Sequence, residues 1–363
     1  VFRANAAFHA DETAPATSNH IVHLVPSPDQ SDILTYHKAD VPEPSGPTMD
    51  LTATNIVIAT GAKPRPLPGN PFAGALIDST QALEVNEFPS SAVIIGAGAI
   101  ALEFASMWNA AGSKVTLLIR KDRVLSAWDR RAGTTLTREL KRHGVNIITR
   151  ASVTHVDTGA NLGATVHYTR EGQDGEQSVW GEIALVAIGR DPITDPAWGV
   201  TIDDHGHVAT DAYGRTDKPG VWAVGDVTAG HALAHRAFEQ GIVIAETIAG
   251  LNPKPVDEAT VPQIVFSFPE AASVGLTVEQ AQAREDLIEI KETNYPMLAN
   301  ARMLMSGTAG SLTIVSGCDA ANPDTPRVLG VHMVSPMASD IIAEAEQLVG
   351  NHVPLAGAAR LVH

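Results

Sequence analysis

Gly96-Ala97-Gly98-Ala99-Ile100-Ala101 stands between a short apolar run, Ala92–Ile95, and a helical stretch from Ile100 to about Ala111. Glycine at the head of such a turn lets the backbone bend sharply and approach a ligand closely. The unsatisfied N–H groups at a helix start attract phosphate, so this spacing points to the pyrophosphate of a dinucleotide. A lone G-x-G-x-x-G match is weak and a plain βα turn is the alternative. What gives the match weight is its setting of strand, turn, helix and second strand, Val115–Ile119. An NAD site carries Asp or Glu at the end of that second strand, bonding the ribose 2′-hydroxyl. Here Ile119 fills the slot and Arg120-Lys121-Asp122-Arg123 follows. Arginine can grip a 2′-phosphate through two parallel N–H bonds, which favours NADP. A solvated strand-end arginine is the competing reading.

Other residues carry weaker signals. Asp226 ends Val221-Trp-Ala-Val-Gly-Asp226, a strand running into a glycine turn. Glu103 lies on the helix that follows the first glycine turn, where a solvated glutamate is the alternative to a functional one. With one cysteine there is no CxxC pair and no metal is assigned, and His143 and His155 read as solvated. There is no Gly-x-Ser-x-Gly elbow for a hydrolase.

The elements that must hold these groups come from the pattern along the chain. With 363 residues, two or three domains with ample core are expected. A net charge of −16 without a lysine/arginine block argues against a nucleic-acid face. A single cysteine, Cys318, excludes an intrachain disulfide framework and fits a reducing, cytoplasmic setting. No apolar run approaches the ~18 to 20 residues of a membrane helix. Short strands are expected at Ile21–Leu24 and Ile33–Tyr36, with a proline-rich loop from Asp40 to Met49. Asn55–Thr60 reads as a buried strand leading to Gly61-Ala62 and then the crossing PRPLPG. A helix over Arg130–Gly144 and a strand over Val145–Ile148 follow the glycine unit. Val153–Val156 and Thr165–Tyr168 form a small meander, and Ile183–Ile188 a buried strand before Gly189. His235–Ala249 reads as a helix. Beyond a linker at Asn252–Pro262, strands are expected at Ile264–Phe268, Ile288–Tyr295, Gly310–Val315 and Val328–Val334. Cys318 would fall between strands, and a helix over Ala338–Val349 would pack on them.

Several ordered segments resemble the FAD-dependent pyridine nucleotide-disulfide oxidoreductases. They are IATGAKPRPLPG (58–69), VIIGAGAIALEFA (93–105), VAIGRDP (186–192), VWAVGDVT (221–228), LAHRAFEQG (233–241), PEAASVGLT (269–277) and LGVHMVSPMASDIIAEA (329–345). YPMLANAR (295–302) and the last of these look most like the dihydrolipoyl dehydrogenase branch. The resemblance implies an α/β fold with two Rossmann-like nucleotide-binding domains, for FAD and NAD(P), and a C-terminal α+β dimerisation domain. The implied layout gives residues 1–85 and 206–258 to FAD, 86–205 to NAD(P) and 259–363 to a homodimer interface. Asp226 would bond the flavin's ribityl chain. Ala232, Leu233, Ala234 and His235 would bring a helix start towards its pyrimidine end. Thr60, Gly61 and Ala62 would lie along the FAD, and Gly189 and Gly225 complete the cofactor-binding set. Glu103 would be a supporting catalytic group, pairing with a lysine beside the redox cysteines.

That pairing depends on residues this sequence does not contain. The family's first glycine fingerprint, its CxxxxC pair and its histidine-glutamate dyad are all missing, and Arg360-Leu-Val-His363 resembles the start of the dyad segment. With no initiator methionine or signal peptide at Val1, the expectation is an internal part of a longer enzyme. That enzyme would pass electrons between NAD(P)H and a small-molecule or lipoyl-domain disulfide. An NADPH-dependent thiol, mercuric or quinone reductase is the alternative, and a catalytically incomplete nucleotide-binding fragment is another.

Overall fold

The computed structural model describes residues 4–8, 20–26, 49–159 and 163–362. The expected strand at Ile33–Tyr36, the loop from Asp40 to Thr48, and His363 lie outside them. The chain forms two compact units, Val1–Lys63 with Asp191–Glu258, and Pro64–Arg190 with Ala259–His363. The architecture is α/β, with Rossmann-like nucleotide-binding parts and a C-terminal α+β domain. No helix among the described residues is long and apolar enough to cross a membrane.

The larger unit is built on a five-stranded parallel sheet. Its order is Leu76–Ile77, Ile183–Val186, Ser91–Ile95, Lys114–Ile119, Asn146–Thr149. Parallel strands are covered on both faces and so read as continuous apolar runs, which is why four of the five were visible in sequence; the two-residue Leu76–Ile77 is too short to show one. Helix Ala99–Ala110 buries Ala101, Leu102, Phe104, Ala105 and Trp108 against the sheet. Helix Arg130–Arg142 is capped by Asp129, whose carboxylate accepts from Ala132 N at 2.8 Å. Three antiparallel strands, Ala151–Asp157, Ala164–Arg170 and Gln177–Gly181, form a separate small sheet. The last was not expected: Gln177, Ser178 and Gly181 hide it, and only pairing with Ala164–Arg170 extends it.

The C-terminal sheet is antiparallel, in the order Gln263–Val265, Glu270–Gly275, Asn322–Ser335, Ser311–Asp319, Leu287–Pro296. Helix Ala338–Gly350 packs on it through Ala338, Ile342, Ala345 and Val349. Cys318 lies inside strand Ser311–Asp319, buried, opposite Ile288, and not between strands. The strand runs past its apolar part because both neighbours keep pairing with it. A seam of polar bonds joins this domain to the parallel-sheet part of the same unit. Glu139, 1% exposed, accepts from Arg142 Nη2 at 2.7 Å and from Ala309 N at 3.1 Å. Arg142 Nη2 also donates to Gly307 O at 2.6 Å.

His332 is fully buried in the C-terminal sheet. Its Nε2 donates to Leu276 O at 3.1 Å, which leaves Nδ1 to accept from the Ser273 hydroxyl at 2.7 Å. Burial holds this imidazole below its ordinary value near 6.5. A depressed base takes its proton in the unfolded chain first. Stability should therefore fall as pH drops through about 6.5 and level off below the folded value. Urea midpoints between pH 7.5 and 5 should drop more steeply for the parent than for His332→Gln; parallel slopes would remove His332 as the cause.

In the smaller unit, strands Ala4–Phe8, His20–Pro26 and Met49–Ala53 form an antiparallel sheet. Met49 thus opens a strand where the expected loop was to end. Ile56–Ile58 runs parallel to Val221–Ala223, and helix Ala234–Ile248 follows. Phe8 stacks on Trp198 at 6.0 Å in a core with Ile58, Val200, Val208 and Val227.

Candidate functional site

Two groups of expected site residues fall in different units. In the larger unit, strand Ser91–Ile95 delivers Gly96 with φ of +142°. Ala187 N donates to Ile95 O at 2.8 Å, so sheet hydrogen bonding carries the Ala187 backbone up against the turn. A Cβ at Gly96 would lie 2.1 Å from Ala187 O, so this position admits no side chain. Gly98 differs: it is exposed, and a Cβ there would meet nothing within 4 Å. It is the N-cap of helix Ala99–Ala110, and no side chain caps that first turn. Ala97, Ala99 and Ile100 are partly buried against the core, and Ala101 is fully buried. The result is an open, uncapped helix start behind a glycine bend. Its N–H groups and helix dipole can accept a phosphate.

At the end of strand Lys114–Ile119, Ile119 is 1% exposed and belongs to the core. Arg120 and Lys121 are exposed. Arg123 turns inward instead, donating to Ser126 O at 3.1 Å and lying 3.5 Å from Asp122. Arg120 and Lys121 are therefore the strand-end cations that face out, with Arg120 the nearer to the strand. Gly189, with φ of +131°, follows strand Ile183–Val186, the neighbour of Ser91–Ile95, and is exposed.

Glu103 is half-buried, and its Oε1 accepts from Phe266 N at 3.0 Å. One turn later Ser106 Oγ accepts from Phe268 N at 2.8 Å. Residues three apart share a helix face, so the two side chains hold one extended segment together. In this unit Glu103 is engaged rather than solvated. His143 likewise bonds through Nδ1 to Glu139 O at 2.8 Å.

In the smaller unit, strand Val221–Ala223 leads into a single 3-10 turn, Gly225–Val227. Gln240 Oε1 accepts from Gly225 N at 3.0 Å, and Thr228 Oγ1 donates to Gly225 O at 2.8 Å. These bonds fix the turn around Asp226, which is half-buried. Its carboxylate has no hydrogen-bond partner among the described residues, so a ligand hydroxyl could bind it at little desolvation cost. Ala232 is exposed, and Leu233 is the N-cap of helix Ala234–Ile248 without a side-chain cap. Ala234 and His235, both exposed, form its first turn. Thr60 Oγ1 donates to Ile193 O at 2.6 Å, and Gly61, with φ of +69°, accepts from Ile193 N at 2.9 Å. Ala62 begins strand Ala62–Pro64.

Two features escaped sequence reasoning. The Glu139 seam joins residues 170 apart, and no local spacing could show it. His155, Asp157 and His167 bring, among the described residues, one donor atom each within 4.8 Å of the others. Their spacing in sequence matches no ligand motif, because they meet only across paired strands.

Comparison with known proteins follows the same outline. The family described as pyridine nucleotide-disulphide oxidoreductase matches residues 19–241, and its dimerisation domain matches residues 261–363. The chain is 38% identical over 301 residues to a dihydrolipoyl dehydrogenase of Cupriavidus necator, covering 81% of this chain and 61% of that protein. To the dihydrolipoyl dehydrogenase of Geobacillus stearothermophilus it is 35% identical over 298 residues, with the same coverage. It thus spans about three fifths of the length of these relatives. Among solved structures, LpdA of Mycobacterium tuberculosis superposes with a TM-score of 0.80 at 25% identity, over 98% of this chain and 72% of that one. The HOCl-induced flavoprotein disulfide reductase RclA of Escherichia coli gives 0.75 at 26%, over 87% and 71%.

Proposed function

The chain belongs to the pyridine nucleotide-disulphide oxidoreductases, and from that premise we propose that the whole protein reduces or oxidises a disulfide with NAD(P)H and FAD, as a dihydrolipoyl dehydrogenase does. The observation that carries this reading is the uncapped helix start at Gly98 behind the closed bend at Gly96. In balanced form, NAD(P)H, a proton and a disulfide give NAD(P)⁺ and a dithiol. When bound, the two cofactors supply hydride transfer and passage of its electron pair to sulfur.

The chain's own part is to hold and orient. Gly96–Ala101 would receive the pyrophosphate of the nicotinamide cofactor. Asp226 would take a hydroxyl of the flavin's sugar chain, and the start of helix Ala234–Ile248 would favour negative charge near it. The partnerless Asp226 carboxylate and the uncapped helix starts fit these groups. Thr60, Gly61, Ala62, Gly189 and Gly225 shape the backbone beside them. Glu103 would keep Phe266 in place, as Ser106 does Phe268, and act as a supporting catalytic group. The proposal keeps the layout of 1–85 and 206–258 for FAD, 86–205 for NAD(P), and 259–363 for a homodimer contact. Its discontinuous FAD part is supported by one compact unit being made from two separate stretches, Val1–Lys63 and Asp191–Glu258, which puts residues 64–85 with the parallel sheet and 191–205 with the FAD part. The redox cysteines would come from sequence outside this chain, the disulfide from a small molecule or a lipoyl domain, and the setting would be cytoplasmic.

Arg120 favours the second reading, an NADPH-linked reductase. It is exposed one residue beyond the slot where the acidic 2′-hydroxyl acceptor would stand, and Ile119, which fills that slot, faces the core. Charge-assisted bonds to a 2′-phosphate contribute about 1.5 to 3 kcal/mol. The intact enzyme should therefore use NADPH at least about tenfold better than NADH in kcat/KM, at about 1.4 kcal/mol per decade. Arg120→Ala should bring the two close to parity. Equal use of both cofactors by the parent would return the reading to an NAD-linked dehydrogenase.

A further inference from the structure

The outer face of the small antiparallel sheet carries a group of side chains that the proposed chemistry does not use. His155 and Asp157 lie on strand Ala151–Asp157, and His167 on Ala164–Arg170, directly opposite His155. A shift of register between Val153 and His155 brings them to one face. Strict alternation from the inward-packed Val153 would turn His155 and Asp157 inward as well. The bulge adds one residue, Thr154, so that Val156 packs inward while His155 and Asp157 face out.

One donor atom from each of His155, Asp157 and His167 lies within 4.8 Å of the others. His167 Nε2 is 3.0 Å and His155 Nε2 3.9 Å from Asp157 Oδ2. The two rings stack at 4.1 Å with planes 8° apart, so both Nε2 atoms lie along the same carboxylate. Behind them stands a second carboxylate. Glu176 is 3.7 Å from His155 Nδ1 and 3.7 Å from His167 Nδ1, and it is held by Thr154 Oγ1 at 2.7 Å. Neither carboxylate has a lysine or arginine ion-pair partner among the described residues.

We propose that His155, Asp157 and His167 form a site for a borderline divalent cation such as Zn²⁺, Cu²⁺ or Ni²⁺, with Glu176 orienting the two imidazoles through Nδ1. Two imidazole nitrogens and one carboxylate select these ions over Mg²⁺ and Ca²⁺. Metal–ligand bonds of about 2.0–2.2 Å place donors roughly 3–3.5 Å apart, so the cluster must close by about an ångström. The rings must also tilt so that their lone pairs converge, a rotation about the soft χ2 torsion. Asp157 and His155 are about half-exposed or more, so these two have room to move towards the more covered His167. A carboxylate behind a ligating histidine fixes its tautomer and raises its basicity; Glu176 would take that part by closing from 3.7 Å to hydrogen-bond distance, in place of Thr154 Oγ1, which lies 3.3 Å from His155 Nδ1. A bound ion would cross-link two adjacent strands and leave positions open to water.

Isothermal titration of the intact flavoprotein with Zn²⁺, in thiol-free buffer, tests the proposal against His155→Ala, His167→Ala and Glu176→Gln. The parent should bind one equivalent per chain that weakens at least tenfold in either histidine variant and about tenfold in Glu176→Gln. Zn²⁺ should raise the melting temperature of the parent but not of His167→Ala. Folded variants that keep the parent's stoichiometry and affinity would overturn the site. Should the alanine variants misfold, electron paramagnetic resonance of the parent with one equivalent of Cu²⁺ decides. Coupling to two imidazole nitrogens supports the site, and one nitrogen or none overturns it.

Discussion

Gly96→Ala should destabilise the larger unit by about 2 to 6 kcal/mol, a large share of a domain's stability. Two costs combine. At φ of +142° the backbone is in a region essentially reserved for glycine, which costs a side chain about 1–3 kcal/mol. The added Cβ would also stand 2.1 Å from Ala187 O and 2.8 Å from Ala187 C, backbone atoms that strand pairing holds in place. Overpacking of that kind costs another ~1–3 kcal/mol. Gly98→Ala is the matched control. It adds the same methyl to open space at φ of −91°, so the fold should survive with a loss under about 1 kcal/mol. The methyl would sit at the mouth of the uncapped helix start, so nucleotide affinity should fall while stability holds. Urea denaturation and nucleotide titration of both variants separate the roles. Equal stability of the two variants would mean that the turn relaxes and the close approach at Gly96 carries no constraint.

Asp226→Ala should strip flavin from the intact enzyme. The carboxylate sits half-buried on a turn fixed by Gln240 and Thr228, without a partner of its own. A ligand hydroxyl that loses a buried acceptor leaves about 1–3 kcal/mol behind, which is roughly ten- to hundredfold in affinity. Flavin absorbance per chain after dialysis reads the effect directly, and Asp226→Asn should retain part of it by keeping one acceptor oxygen. Unchanged flavin content in Asp226→Ala would remove this residue from the cofactor's contacts.

The elements around both groups were legible because two simple signals coincided there. Ser91–Ile95 and Lys114–Ile119 are buried on both faces and read as apolar runs, and glycine marks each bend between them. Strand Glu270–Gly275 gave no such signal. Its Glu-Ala-Ala-Ser opening has low strand propensity, and it exists because Asn322–Ser335 pairs with it residue by residue. Cys318 was misplaced for the same reason. Glu103 could be put on its helix by period alone, but its bond to Phe266 spans 163 residues and required the folded chain. The histidine cluster was hidden further still, since an extra residue in one strand reverses which side chains share a face. Local pattern fixes faces and bends; pairings distant in sequence are settled only by packing.

The seam at Glu139 bears on how the molecule comes apart. A buried carboxylate that holds Arg142 and the Ala309 amide cannot lose either side without stranding a polar group. Local opening of residues 307–309 is thereby coupled to fraying of the helix Arg130–Arg142. Pro64–Arg190 and Ala259–His363 should consequently behave as a single foldon, exchanging their slowest amide hydrogens together although 68 residues of the other unit intervene.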